Sequence, residues 1–320
     1  MKKRFSTATV LCGAARTRLA CHVLYNHDAL AAQGVHGALS MFWLERDAPP
    51  KWCETKDIAS IGWSPVSAST CHEPQYQMIA VGADGDVLLD GKGDFHEERL
   101  KPEDAPPPRH GKMFHVRGIG KRAYAVGMGR QVYRRDGVNR WTAIDRGCLS
   151  DGAMPADAPN RVAAYQRMLV GFTAIDGFDE DDLYAVGLQG EIWSGKADHW
   201  QRRDSPTNLN FNDMVCAGDG EVYAVGNDGL IVRGRGDRWS VIKAPKQHDF
   251  LHCCWFNDRL WLSTAKGLFT LNAKRSLDDV DFGDDEPGSF NDLTTCDGIL
   301  WSVGPKDIFR HDGTAWRRID

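Results

Sequence analysis

One phrase returns along this chain at a near-constant interval: an aromatic or apolar residue, Ala-Val-Gly, a tight turn containing Gly, an apolar strand, and Asp-Gly ahead of an aromatic. Ile79-Ala80-Val81-Gly82 opens the series. Tyr124-Ala125-Val126-Gly127, Tyr184-Ala185-Val186-Gly187 and Tyr223-Ala224-Val225-Gly226 repeat it, and Trp261-Leu262-Ser263-Thr264 and Trp301-Ser302-Val303-Gly304 are worn copies. The anchors lie 45, 60, 39, 38 and 40 residues apart. A strand-rich unit with a period near ~40 residues cannot bury its own faces and must stack against its neighbours, which is the signature of a propeller or array.

Within one unit the strands can be read directly. Val222-Tyr223-Ala224-Val225-Gly226 and Leu230-Ile231-Val232-Arg233 flank Asn227-Asp228-Gly229, residue types that tolerate the positive φ of a tight hairpin. Trp239-Ser240-Val241-Ile242 follows as an outer strand, and Asn210 to Cys216 precedes as an inner one. Four strands per unit make one propeller blade. The closing aromatic recurs as Trp141, Trp200, Trp239 and Trp316, with Phe95 in its place in the second unit.

The expected fold is therefore all-β: a single β-propeller domain over 1–320, seven-bladed, with six blades and an N-terminal extension as the alternative. The blades fall at 1–57, 58–112, 113–167, 168–208, 209–248, 249–288 and 289–320. The first blade lacks the phrase. Its strands are expected at Phe5–Cys12, Leu19–Tyr25, 42–46 and 51–52. The last blade carries its own outer strand, so the ring is expected to close without exchanging strands between the termini. Helix is expected to be scarce, with one weak helical stripe from Arg161 to Leu169.

The repeat Y-A-V-G-x-x-G-x-[IV] followed by D-G-x-x-W resembles the bacterial β-propellers grouped with WD-repeat, YVTN and BNR (Asp-box) proteins, over about 79–316. That resemblance implies the fold and little about activity. Arg134-Arg135-Asp136-Gly137 and Arg310-His311-Asp312-Gly313 lack the serine of an Asp box and set Gly directly after Asp. The arginine triad, Tyr-Glu pair and Asp of the sialidase branch match no motif here, so that activity is not carried over.

Composition excludes some functions. A net charge of -5 leaves no basic excess to displace counterions, which argues against a nucleic-acid partner. No stretch approaches the ~20 apolar residues of a membrane helix. Nine cysteines, an odd number with no C-x-x-C pair, suit a reducing compartment better than a secreted disulfide framework. The run after Lys2-Lys3-Arg4 is too polar for a signal peptide, and a cytoplasmic location is expected.

Candidate chemistry is thin. His248, His252, Cys253 and Cys254 have metal-like ingredients, but neighbours on a strand point to opposite faces, so core packing is the favoured reading. The acidic run 278–286 lacks the spacing of a calcium loop and reads as a solvated loop. Arg235-Gly236-Asp237 falls in the repeat's own turn, and Gly118-Ile119-Gly120 is too short for a phosphate loop. No nucleophile elbow or zinc-protease motif occurs. The expectation is no catalytic residue, no metal and no cofactor.

What remains is the placement of the long connections, 100–112, 146–167, 243–249 and 272–288, which a propeller gathers on one face. Long loops on a rigid scaffold mark a binding surface. Arg109, His110, Arg161, Lys246 and His248, facing Asp284, Asp285 and Glu286, are the expected partner-binding residues. The functional expectation is a monomeric, non-catalytic propeller that holds and occludes a protein partner. Its most concrete form is a bacterial immunity-type protein neutralising a co-encoded toxin. The alternatives are a glycan hydrolase or lyase with its site in the same mouth, and an assembly-factor scaffold.

Overall fold

The computed structural model describes residues 5–45, 53–91, 94–100, 111–148, 170–244 and 248–319. It forms seven antiparallel sheets of four strands, each built from consecutive strands in the order one to four. The first strand of each blade lies innermost, against its counterparts on either side: Ala8–Thr17, Pro65–Cys71, Met113–Ile119, Phe172–Asp179, Phe211–Cys216, His252–Phe256 and Asp292–Cys296. These seven strands surround the central channel. The expected seven-bladed propeller is what the chain forms, and the described helix is confined to three short 3-10 turns. The stripe at Arg161 to Leu169 lies outside the described residues.

The turn chemistry works as its sequence dictates. Asp228 and Gly229 adopt φ of 55° and 72° in the middle hairpin of blade five. The glycine closing Tyr-Ala-Val-Gly has a separate reason. A Cβ at Gly127, Gly187, Gly226 or Gly304 would overlap a backbone carbonyl oxygen of the segment entering the same blade's inner strand, from Lys112, Gly171, Asn210 and Ser289. The phrase therefore marks where the chain enters the blade against its second strand.

Blade one departs from the expected boundaries. Its strands are Ala8–Thr17, Ala20–His27, His36–Trp43 and Cys53–Ile61. Phe42 and Trp43 end a strand that starts at His36, residues 46 and 51–52 lie outside the described residues, and the outer strand continues past residue 57. The divergence has a physical cause: this blade lacks the repeated phrase, and its first strand runs on through Arg16 and Thr17, polar residues half-buried at the strand end. The second strand's Cys21 and Val23 pack toward blade seven, while Leu24 packs toward blade two.

The ring closes without strand exchange. Inner strands expose an unpaired edge toward the channel, and such edges need a partner. Here side chains supply it. Asp292 Oδ2 accepts the Gly13 N–H (3.0 Å), Thr294 Oγ1 accepts the Ala15 N–H (3.0 Å), and Asn291 Nδ2 donates to the Leu11 carbonyl (3.1 Å). The same device joins other blades. Ser67 and Ser69 accept the Val116 and Gly118 N–H, Asp176 accepts Cys216 N–H, and Asp213 accepts Cys253 N–H.

Candidate functional site: the seams and faces of the ring

Strand register makes the seven blades comparable residue by residue. The first position of Tyr-Ala-Val-Gly is held in blades two to seven by Ile79, Tyr124, Tyr184, Tyr223, Trp261 and Trp301, and its register equivalent in blade one is His22. This side chain faces the next blade. The outer-strand aromatic faces the preceding one, so each seam receives one side chain from either side. Tyr124 meets Trp200, Tyr184 meets Trp239 at 6.0 Å between ring centroids, and Trp261 meets Trp316 at 5.9 Å. The indole N–H groups find acceptors: Trp200 donates to the Ile144 carbonyl (2.8 Å) and Trp141 to the Glu98 carboxylate (3.1 Å). Glu98 is also gripped by Arg135 through two nitrogens (3.0 and 2.7 Å), both side chains fully buried.

Two of the seams that lack the tryptophan hold recesses; in the seam between blades seven and one the register puts Thr55 at that position. Between blades five and six, Leu277 stands in the outer-strand position opposite Leu271, and a recess of about 640 Å³ opens beside Tyr223 and Trp255. Between blades one and two, Phe95 stands opposite Asp90, and a recess of about 500 Å³ opens among Arg16, His22, Ser40, Phe42 and Tyr76. A third recess, about 380 Å³, is the channel mouth itself. It is lined by all seven inner strands, with Arg117 paired to Asp176 (3.3 and 3.2 Å) and Trp255 at its border with the first recess. These three open on the face formed by the first and third hairpins of the blades, hereafter the hairpin face; a further recess of about 450 Å³ lies beside the acidic loop, lined by Asp284, Asp285, Phe309, Trp316 and Arg318.

The channel holds a charged cluster. His252 Nδ1 lies 3.5 Å from both Asp213 and Asp292. Burial disfavours its charged form, but the two carboxylates outweigh that and raise its pKa to about 9. At His115 burial outweighs the pull of Asp213, and Arg117 and His252 add to it, so its pKa falls to about 4. Cys253 and Cys254 pack into different cores on opposite sides of their strand, as alternation requires. Among the described residues no three His, Cys, Asp or Glu side chains converge in a group that could hold a metal ion.

Half of the expected partner-binding residues, Arg109, His110, Arg161 and Lys246, lie outside the described residues. His248 is half-buried, with its ring stacked on Phe269 at 5.1 Å. Asp285 is bound by Arg318 Nε and Nη2 (3.0 and 2.8 Å), and Arg318 also pairs with Asp307. Phe282 packs on Phe290, Phe309 and Trp316, so this acidic loop is strapped to blade seven. Asp284 and Glu286 are exposed. Sequence reasoning missed the seam recesses as sites. The signal was present in Phe95 but needed the register of blade one to be read.

This architecture defines a seven-bladed β-propeller, and solved structures agree in fold. The chain matches YCF48 bound to D1 peptide with a TM-score of 0.66 at 15% identity, covering 98% of this chain and 95% of that one. It matches the propeller domain of Doa1 at 0.66 and 10% identity, covering 94% and 91%, and streptogramin B lyase at 0.63 and 11%, covering 99% and 95%. At such identities these likenesses show the fold alone. No protein-family model matches the chain. Among curated proteins, the immune protein Tsi7 of Pseudomonas aeruginosa is 42% identical over 271 residues, 84% of each chain. The chain belongs to the family of that immune protein.

Proposed function

We propose that this chain is an immunity protein that neutralises a toxic protein by holding it, and that the held protein sits on the hairpin face. Kinship with an immune protein supports the first half. The observation that carries the second is that three recesses, the channel mouth among them, open on that one face, whereas the recess beside the acidic loop is flanked by Asp285 already bound to Arg318, and His248 is stacked on Phe269. A rigid ring several blades across offers the roughly 800 Å² per partner that a stable interface needs. The chain is proposed to work as a monomer in the cytoplasm, where its nine free thiols stay reduced.

Holding, not turnover, also fits the chemistry. Ser40, His22 and Asp90 bring together the residue types of a hydrolytic relay but not its geometry. The hydroxyl and the carboxylate both lie on the Nδ1 side of the ring, at 3.0 and 3.7 Å, and Nε2 has no hydrogen-bond partner. A relay needs them on opposite nitrogens. The test is co-expression with the toxin encoded alongside. Restored growth with one co-purifying complex is the expected result; restored growth with no complex, or turnover of a glycan by the chain alone, overturns the reading. Asp181→Lys on the hairpin face is expected to slow association, and Asp284→Lys with Glu286→Lys to leave it unchanged. The reverse result moves the contact to the loop-rich face.

A further inference from the structure

The seam between blades one and two has lost both of its plugging side chains. His22 replaces the tyrosine and Phe95 the tryptophan of the repeat. The consequence is visible in exposure: Trp141, Trp200 and Trp316 are 3, 7 and 9% exposed, whereas Phe95 is 49% exposed. Phe42 and Leu19, at 38 and 37%, share the same recess, so three exposed large apolar side chains surround one opening. Scattered exposed apolar residues need no explanation, but a cluster around a recess marks a binding site.

The floor states what the recess takes. Arg16 and Lys56 balance Asp90 and Asp57, so a charged occupant gains little. His22 is buried and neutral at pH 7, its pKa drawn down to about 3 by burial and by Arg16. The Asp90 carboxylate and Ser40 hydroxyl lie on its Nδ1 side; Nε2 is enclosed, so the acceptors on the floor of the recess are Asp90 and Ser40. The neighbouring seams supply the template: an aromatic ring between two blades whose N–H reaches an acceptor across the seam, as with Trp141 on Glu98 and Trp200 on Ile144. A 500 Å³ recess accommodates such a ring.

We infer that the seam between blades one and two is the anchoring socket for an aromatic side chain, tryptophan or tyrosine, of the protein held on the hairpin face. This rests on the reading that the chain holds a protein. The partner completes the ring's own plugging pattern where the sequence leaves it open.

The socket is tested first without any partner, by ligand-observed NMR of the full chain with N-acetyltryptophanamide and, as control, N-acetylalaninamide. Binding of the indole probe with a Kd of about 1 mM is expected, and none of the control. Phe95→Trp, which fills the seam from within, should weaken probe binding at least about tenfold while keeping the wild-type circular dichroism. Phe42→Ala, a rim change the fold tolerates, should weaken it several-fold. No probe binding by the wild type, or equal binding by both variants, overturns the socket. With the purified toxin, Phe95→Trp should weaken the complex about 30-fold or more. Unchanged toxin affinity alongside lost probe binding overturns the assignment of the socket to the partner. A wild-type chain that binds the probe and no toxin overturns the functional reading and leaves the socket standing.

Discussion

The seam between blades three and four and the seam between blades one and two share one register and end differently. In the first, Tyr124 and Trp200 meet in a continuous core with Phe172 and Ile175, and the indole N–H is satisfied by Ile144. In the second, His22 and Phe95 occupy the same two positions and leave an opening. The difference teaches that the repeat encodes closure as well as fold. Strand hydrogen bonds build each blade, but the two side chains per seam decide whether neighbouring blades seal against each other or leave a place for something else.

The largest effect expected from breaking this comparison comes at a sealed polar seam. Arg135→Ala strands Glu98 as a buried carboxylate and should cost about 3–5 kcal/mol, read by denaturant unfolding. Trp200→Ala removes a buried plug and opens a cavity, at about 3 kcal/mol or more. Phe95→Ala, at the equivalent position of the open seam, should cost no more than about 0.5 kcal/mol. Equal losses at Trp200 and Phe95 would show that the seam between blades one and two is sealed after all.

Between these magnitudes lies the pH response of the channel cluster, which ties blades five, six and seven. Asp213, Asp292, Arg117 and His115 act on His252. Because its folded pKa is raised from 6.5 to about 9, its contribution is full below pH 6.5 and is lost as pH rises through about 9. Asp213 is shifted the other way: burial opposes its charge, but His252 prevails and holds its pKa below the ordinary 3.8, so its contribution is lost only in acid. The unfolding midpoint of the wild type should therefore fall between pH 7 and 9 more steeply than that of His252→Gln, and parallel curves would contradict the pairing. The smallest effect sharpens the seam comparison: Phe95→Trp should raise stability by about 0.5–1 kcal/mol if the indole reaches the site its counterparts occupy.

The period near 40 residues, the aromatic opening each phrase and the closing tryptophan were enough to reach a seven-bladed propeller, because each of those residues answers to a fixed place in a blade. Phe95 stood out as the odd member of its column. His22 did not, because blade one lacks the phrase and the bulge between Val10 and Cys12 shifts its pairing, so no spacing in the sequence aligns it with Tyr124 or Tyr223. The engagement of Asp285 by Arg318 was equally hidden: the residues are 33 apart, and only the fold brings that loop back onto the last strand. Loop length pointed to one face, whereas the recesses depend on which side chains are missing from the seams of the other.

The proposed neutralisation is by holding, one chain to one toxin molecule. Titrating purified toxin with the chain and following residual toxin activity tests it most directly. A holder is predicted to abolish activity in proportion to its amount, with the end point at one chain per toxin molecule. Complete loss of activity at a small fraction of one equivalent would show turnover and rule out holding.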